Sequence, residues 1–123
     1  MEKRSYRKVL LVDDEKPHRD LVRISLKGKS VTIRELSSGQ GFHEVIKEFD
    51  PDLLLIDFQM PDKDGLTLCQ ELKEYNEKVH VILLSSDKNA KIEESLNQIG
   101  ISDCWSKPIT PAELRERLSC WVN

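Results

Sequence analysis

The chain has 123 residues, a length sufficient for one domain that buries a core without disulfides or a structural metal. Its 19 basic and 22 acidic residues give a net charge of -3 with no long run of either sign, so charge alone indicates neither a nucleic-acid nor a membrane partner. The three widely spaced cysteines have no metal-binding spacing, and no apolar stretch resembles a signal peptide or a membrane span, which favours one reduced, cytoplasmic domain over residues 1–123.

Five short apolar runs lie along the chain and predict five β-strands. They cover residues 9–12, 31–33, 53–56, 79–84 and, more weakly, 101–105. The richest runs are apolar at consecutive positions, which is typical of strands that are buried on both faces of a parallel sheet.

A segment with helical periodicity follows each of these runs. The residues that mark these segments are Leu21 and Ile24; Phe42, Val45, Ile46 and Phe49; Leu68 and Leu72; Ile92, Leu96 and Ile99; and Leu114, Leu118 and Trp121. The last segment begins with a capping box, in which Thr110 is the N-cap and Glu113 lies three residues later. Alternating strands and helices predict right-handed crossovers and an open, doubly wound α/β sheet, because five units are too few for an eight-stranded barrel.

Polar residues follow the predicted strands at the edge where such a sheet binds ligands. They are Asp13 and Asp14 after the first strand, Asp57 after the third, Ser85 and Ser86 after the fourth, and Lys107 after the fifth. Because the carboxyl ends of parallel strands meet at one edge, we expect these side chains to converge.

Three carboxylates at one edge remain ionised near neutral pH only if a cation offsets their repulsion. Lys107 supplies one positive charge, and a divalent metal ion would supply two. Oxygen ligands without a nearby histidine or cysteine favour Mg²⁺. Asp57 is then the candidate nucleophile for phosphoryl transfer, and Asp13 and Asp14 would hold the metal. Lys107 and Ser85 would meet the phosphoryl oxygens.

The same residues also have ordinary structural interpretations. Asp13 and Asp14 could begin a turn and cap the next helix. Asp57 could be a turn residue, but a carboxylate directly after four buried apolar residues is costly without a purpose, which favours a functional role. The histidines form no cluster and are interpreted as surface or partly buried side chains; they are His18, His43 and His80.

Four segments of the chain resemble the motifs of the response regulator receiver family of two-component signal transduction. They are VLLVDDE, LLLIDFQMPDKDG, VILLSS and SKPITPAEL, in the order and spacing of that family across nearly the whole chain. The resemblance implies a five-stranded flavodoxin-like fold with strand order 2-1-3-4-5 and five helices. It also implies autocatalytic phosphoryl transfer from the phosphohistidine of a histidine kinase to Asp57.

The resemblance also assigns the metal ligands and the hydroxyl. Asp14 should ligate Mg²⁺ directly and Asp13 largely through water, with Asp57 and the backbone carbonyl of Gln59 completing the set; Mn²⁺ is the alternative metal. Ser85 lies 22 residues before Lys107, which matches the family spacing and favours Ser85 over Ser86.

Other positions concern hydrolysis and output. Asp87 and Gln59 should flank the approach of a hydrolytic water. Cys104, three residues before Lys107, stands where the family often has the tyrosine or phenylalanine that couples phosphorylation to output. Lys63 and Ile109 replace an apolar residue and a phenylalanine.

The partners that the resemblance implies are a histidine kinase or histidine phosphotransfer protein and a downstream effector domain or protein, with a phosphorylation-dependent homodimer as a further option. No direct nucleic-acid or membrane contact is expected of this domain. The sequence names neither the kinase nor the effector, and it leaves open whether the chain is a whole protein or a fragment.

The main rival function is an aspartate-nucleophile phosphohydrolase of the haloacid-dehalogenase type. Such enzymes need a second acid two residues after the nucleophile, where this chain has Gln59. A flavin- or nucleotide-binding module is disfavoured because the acidic residues 13–15 would repel phosphate without a metal. A degenerate receiver that serves as a scaffold is the remaining alternative, and the favoured interpretation is a phosphoacceptor switch rather than a turnover enzyme.

Overall fold

The computed structural model describes residues 6–60, 62–75, 78–86, 90–101 and 103–122. These residues form five successive β-α units. The elements are β1 (Lys8–Val12), α1 (Lys16–Ser25), β2 (Thr32–Leu36), α2 (Phe42–Phe49), β3 (Leu53–Asp57), α3 (Gly65–Tyr75), β4 (His80–Ser85), α4 (Ala90–Gln98), β5 (Asp103–Ser106) and α5 (Pro111–Leu118).

The five strands form one parallel sheet in the order β2-β1-β3-β4-β5. The predicted doubly wound sheet and its strand order are therefore confirmed. The largest boundary difference is in β2, which extends to Leu36 rather than ending at Ile33. This strand lies at the edge of the sheet beside β1, and its residues are exposed or half-buried. It therefore has no long apolar run that would mark its end in the sequence.

The core lies on both faces of the sheet, with β3 at the centre and all five of its residues buried. On one face, α2, α3 and α4 contribute buried side chains that include Phe42, Ile46, Leu68, Leu72 and Leu96. On the other face lie Val22 of α1, Leu26 directly after this helix, and Leu114 and Leu118 of α5. Burial of each such side chain stabilises the fold by about 1.5–3 kcal/mol. This packing holds the sheet, and with it the ends of the strands, in one arrangement.

The buried face of α1 differs from the predicted one. Ile24, which helped to mark this helix, is 60% exposed, whereas Val22 and Leu26 are buried. Leu21 and Ile24 are only three residues apart, and the pair Val22 and Leu26 fits helical spacing equally well, so the spacing alone did not fix the rotation of the helix.

The start of α5 agrees with its predicted capping residue. The Thr110 hydroxyl oxygen accepts a hydrogen bond from the backbone N–H of Glu113 at 3.1 Å. The Glu113 carboxylate accepts from the Thr110 hydroxyl rather than from its backbone N–H, so the reciprocal bond of a capping box takes a different form. Within the described ranges, none of the helices has the length and apolarity that crossing a membrane requires.

Candidate functional site

The carboxyl ends of β1 and β3 bring three predicted carboxylates together. Asp13, Asp14 and Asp57 each place one oxygen so that the three oxygens lie within 4.8 Å of one another. Asp13 and Asp57 are each only 4% exposed, whereas Asp14 is open to solvent. The end of β1 is held in place because the backbone N–H of Asp13 donates to Leu36 at 3.0 Å.

Lys107 supplies the positive charge that the sequence predicted at this edge. Its Nζ lies 3.1 Å from Oδ1 of Asp57 and 3.4 Å from Oδ2 of Asp13. The Lys107 backbone N–H donates to the carbonyl of Ser85 at 2.9 Å, which ties the end of β5 to the end of β4. The lysine therefore reaches both buried carboxylates from a strand end that the sheet itself positions.

The two buried carboxyl groups differ in their electrostatics. Burial raises the pKa of Asp57, and the nearby charge of Asp13 raises it further, while Lys107 only partly opposes these effects. Burial would also raise the pKa of Asp13, but hydrogen bonds from His18 and from the backbone N–H of Glu15, together with the charge of Lys107, hold it below its usual value. Of these two groups, Asp57 is thus the one whose negative charge more needs a cation.

Two residues of α1 that the sequence pattern did not single out contact Asp13. His18 is partly buried, as interpreted, but its Nδ1 contacts Oδ2 of Asp13. The guanidinium of Arg19 donates to the Asp13 backbone carbonyl at 2.7 Å. The premise that no histidine lies near the carboxylates is therefore wrong. The available signal was that α1 begins only three residues after Asp13, so its first turn faces the end of β1.

Two of the three carboxylate residues, Asp14 and Asp57, line a cavity of about 470 Å³. Its wall includes Asp14, His18, Asp57, Gln59, Ser86 and Lys107. Gln59 therefore lies at the site, as expected. Ser85 is fully buried, whereas the next residue, Ser86, lines the cavity. The assignment of the hydroxyl role to Ser85 therefore stays a prediction. Asp87 lies outside the described residues.

The loop between β3 and α3 is anchored close to Asp57. The backbone N–H of Gly65 donates to the Phe58 carbonyl at 2.8 Å, which closes the loop. The backbone N–H of Gly39 donates to Asp62 at 3.1 Å, and the Lys63 ammonium pairs with Glu71 at 2.6 Å. Lys63, which departs from the apolar residue usual in the family, thus ties the loop to α3 through an ion pair.

The comparison with known families agrees with this geometry. A family model described as the response regulator receiver domain matches residues 9–119. The chain belongs to the response regulator receiver family.

Solved receiver structures share the fold over almost the whole chain. The chemotaxis response regulator CheY4 of Vibrio cholerae has a TM-score of 0.84 at 19% identity, covering 93% of this chain and 97% of that one. DrrB of Thermotoga maritima, an OmpR/PhoB homologue, has a TM-score of 0.80 at 25% identity, and the match covers 91% of this chain but 50% of DrrB. The isolated receiver domain of RcsB from Salmonella enterica serovar Typhimurium, in the presence of phosphomimetic BeF₃⁻, has a TM-score of 0.79 at 25% identity over 91% of this chain and 85% of that one.

The β5 strand of this receiver domain places Cys104 and Trp105 on opposite faces of the sheet. Cys104 is 7% exposed and packs into the core beneath α2, α3 and α4. Trp105 packs on the other face. Its ring centroid lies 6.1 Å from the ring centroid of Trp121 and 5.4 Å from the guanidinium carbon of Arg117. The one large ring near the end of β5 therefore lies beside α5, not on the face that Cys104 occupies.

Proposed function

We propose that this receiver domain is a phosphorylation-controlled switch in which Asp57 accepts a phosphoryl group from the phosphohistidine of a histidine kinase or a histidine phosphotransfer protein. In that step the P–N bond breaks, a bond forms between phosphorus and a carboxylate oxygen of Asp57, and the imidazole leaves. The observation that carries this proposal is the convergence of three carboxylate oxygens within 4.8 Å, with the Lys107 ammonium 3.1 Å from Asp57. A domain with no phosphoryl chemistry would have little reason to place two carboxylates in its interior.

The donor set suits a hard divalent cation. It consists of carboxylate oxygens from two buried residues and one solvent-exposed residue, and Mg²⁺ binds oxygen ligands of this kind together with several waters and a phosphate oxygen. We assign the ligands to Asp13, Asp14, Asp57 and the backbone carbonyl of Gln59, with Mn²⁺ as an alternative ion. When bound, the cation would neutralise charge that develops on the phosphoryl oxygens.

The remaining residues position and stabilise the phosphoryl group. Lys107 already pairs with Asp57. A phosphoryl oxygen on Asp57 would accept a charge-assisted hydrogen bond from the Lys107 ammonium. We assign the hydroxyl donor at the end of β4 to Ser85, which would have to turn from its buried position toward the phosphoryl group. Such a movement would connect the site with the output face that a downstream effector recognises.

Exposure to acetyl phosphate and Mg²⁺ should add one phosphoryl group per chain, measured by intact-protein mass spectrometry. The reaction breaks the bond between phosphorus and the acetyl oxygen and releases acetate. Removing the metal with EDTA should abolish the mass increase, because the three carboxylates then repel the incoming phosphate. Catalytic turnover of a small phosphate ester would instead support a phosphohydrolase, and no uptake in the presence of Mg²⁺ would support a scaffold.

Lys107→Met should leave the affinity for Mg²⁺ unchanged or raise it by up to about tenfold, because a positive charge close to the carboxylates repels the cation. The same change removes the charge that opposes the effect of burial on Asp57, so the pKa of Asp57 should rise further in the metal-free protein. Isothermal titration calorimetry measures the affinity. Lys29→Met is the matched control, because Lys29 precedes β2 at the opposite end of the sheet. A marked loss of Mg²⁺ affinity in the Lys107 variant would contradict the assigned role.

A further inference from the structure

His18 has no role in the proposed chemistry, yet it lies in the site. It occupies the first turn of α1, and its side chain is 14% exposed. Its Nδ1 contacts Oδ2 of Asp13, the same oxygen that lies 3.4 Å from Nζ of Lys107. Two donors therefore share one carboxylate oxygen.

The hydrogen of this contact belongs to the histidine. An ionised carboxylate only accepts hydrogen bonds, so the ring nitrogen facing it must carry the hydrogen. In a neutral ring, Nε2 is then an acceptor, and it is buried without a hydrogen-bond partner among the described residues. An unpaired buried nitrogen costs stability, so Nε2 does not stabilise the fold. The favourable polar contact of the ring is the hydrogen bond from Nδ1 to Asp13.

The plane of the Asp13 carboxylate is set by donors on both of its oxygens. Oδ1 accepts from the backbone N–H of Glu15 at 2.9 Å, and Oδ2 accepts from His18. Without the imidazole, Lys107 would be the remaining side-chain donor to Oδ2 among the described residues, and the ammonium at 3.4 Å could close on it. A tighter pair between Asp13 and Lys107 would direct the carboxylate toward the lysine and away from a cation.

We propose that His18 is a positioning residue for the divalent cation, in that its Nδ1–H holds Asp13 in the orientation that binds the metal. This inference rests on the proposed function. Donors that orient metal-binding side chains typically contribute 10–100-fold to metal affinity. His18 would thus act through Asp13 without touching the metal itself.

Substitutions at position 18 separate the hydrogen bond from the bulk of the ring. The amide nitrogen of asparagine reaches the place of Nδ1, whereas that of glutamine reaches farther, toward the place of Nε2. We expect His18→Ala and His18→Gln to weaken Mn²⁺ binding by about 10–100-fold and His18→Asn to stay within a few-fold of the wild type. Electron paramagnetic resonance of free Mn²⁺ measures the affinity. His43→Ala is the control, because His43 lies on α2, contacts Glu71 at 3.4 Å and does not line the cavity of the site.

The outcomes distinguish this inference from the proposed function. If the wild type binds no Mn²⁺ or Mg²⁺, the metal site itself is wrong and the role of His18 falls with it. If the wild type binds Mn²⁺ and His18→Ala binds equally well, the role of His18 alone is overturned. It is also overturned if His18→Asn binds as weakly as His18→Ala, because the ring rather than its donor would then matter. Should the alanine variant not fold, the comparison of the asparagine with the glutamine variant decides.

Discussion

Asp57→Asn is expected to take up no phosphoryl group from acetyl phosphate and Mg²⁺, while the wild type gains one. The amide has nearly the shape of the carboxylate but is a poor nucleophile, so the change removes the chemistry and keeps the packing. Asp13 is a poor substitute because its two oxygens already accept hydrogen bonds from Glu15 and His18. Intact-protein mass spectrometry makes the comparison.

Asp20→Asn is the matched control for this experiment. Asp20 is an α1 carboxylate that pairs with Lys16 and Arg23 rather than with the site, so its variant should be phosphorylated like the wild type. Equal labelling of the Asp57 and Asp20 variants would show that another residue accepts the phosphoryl group.

The same Asp57 variant should be more heat-stable than the wild type when metal is absent. Burial raises the pKa of Asp57. A raised pKa gives a contribution to stability that is full below the unfolded-state pKa, near 3.9, and is lost as the pH rises through the folded-state value. At pH 7 the wild type has lost that contribution, whereas the neutral amide never carries the charge. The difference in melting temperature should therefore shrink as the pH falls toward about 4, which calorimetry can follow.

The carboxylate cluster could be predicted from the sequence because its position depends only on where strands end. Asp13 and Asp57 directly follow apolar runs and Asp14 is the next residue after Asp13, and parallel strands carry such positions to one edge of the sheet whatever the helices do. The position of Lys107 follows from the same rule. The family and the strand order could likewise be predicted without knowing how side chains pack between the helices and the sheet.

The contacts made by α1 could not be predicted in the same way. Which side chain of a helix meets the sheet depends on the rotation of the helix about its axis, and a change of one residue turns it by about 100°. Ile24 marks this helix in the sequence pattern but is exposed, and His18 has no role in that pattern but contacts Asp13. Both errors arise because the sequence pattern did not fix the rotation of α1 about its axis.

The choice between Ser85 and Ser86 has a related cause. Successive residues at a strand end point to opposite faces of the sheet, so a shift of one position exchanges the buried and the exposed hydroxyl. Ser85 is buried, and Ser86 lines the cavity. The family spacing selects Ser85, whereas exposure to the cavity in this conformation favours Ser86.

Gly65→Ala is expected to destabilise the fold by about 1–3 kcal/mol, the usual cost of forcing a group into filled space. A Cβ on this residue would lie 3.0 Å from the Asp57 carbonyl carbon and closer still to its oxygen, and 3.1 Å from Cδ1 of Leu83. Backbone atoms of a central buried strand cannot move aside as a flexible side chain does, so the first residue of α3 must move instead. Chemical denaturation followed by circular dichroism measures the loss.

The displacement should also slow phosphoryl uptake at Asp57, because Gly65 closes the loop that begins there through its bond to the Phe58 carbonyl. Misplacing a reactive group by about 1 Å costs on the order of 100-fold in rate, so a decrease of about 10–100-fold is expected in the time course of the mass increase. Gly39→Ala is the matched control, because the three atoms nearest to its Cβ would belong to the side chains of Asp62 and Leu68, the closest at 3.3 and 3.4 Å, and side chains can yield where backbone cannot. If the two glycine variants prove equally stable and equally fast, the close approach of α3 to the end of β3 does not constrain the site, and the position of Asp57 must depend on the sheet alone.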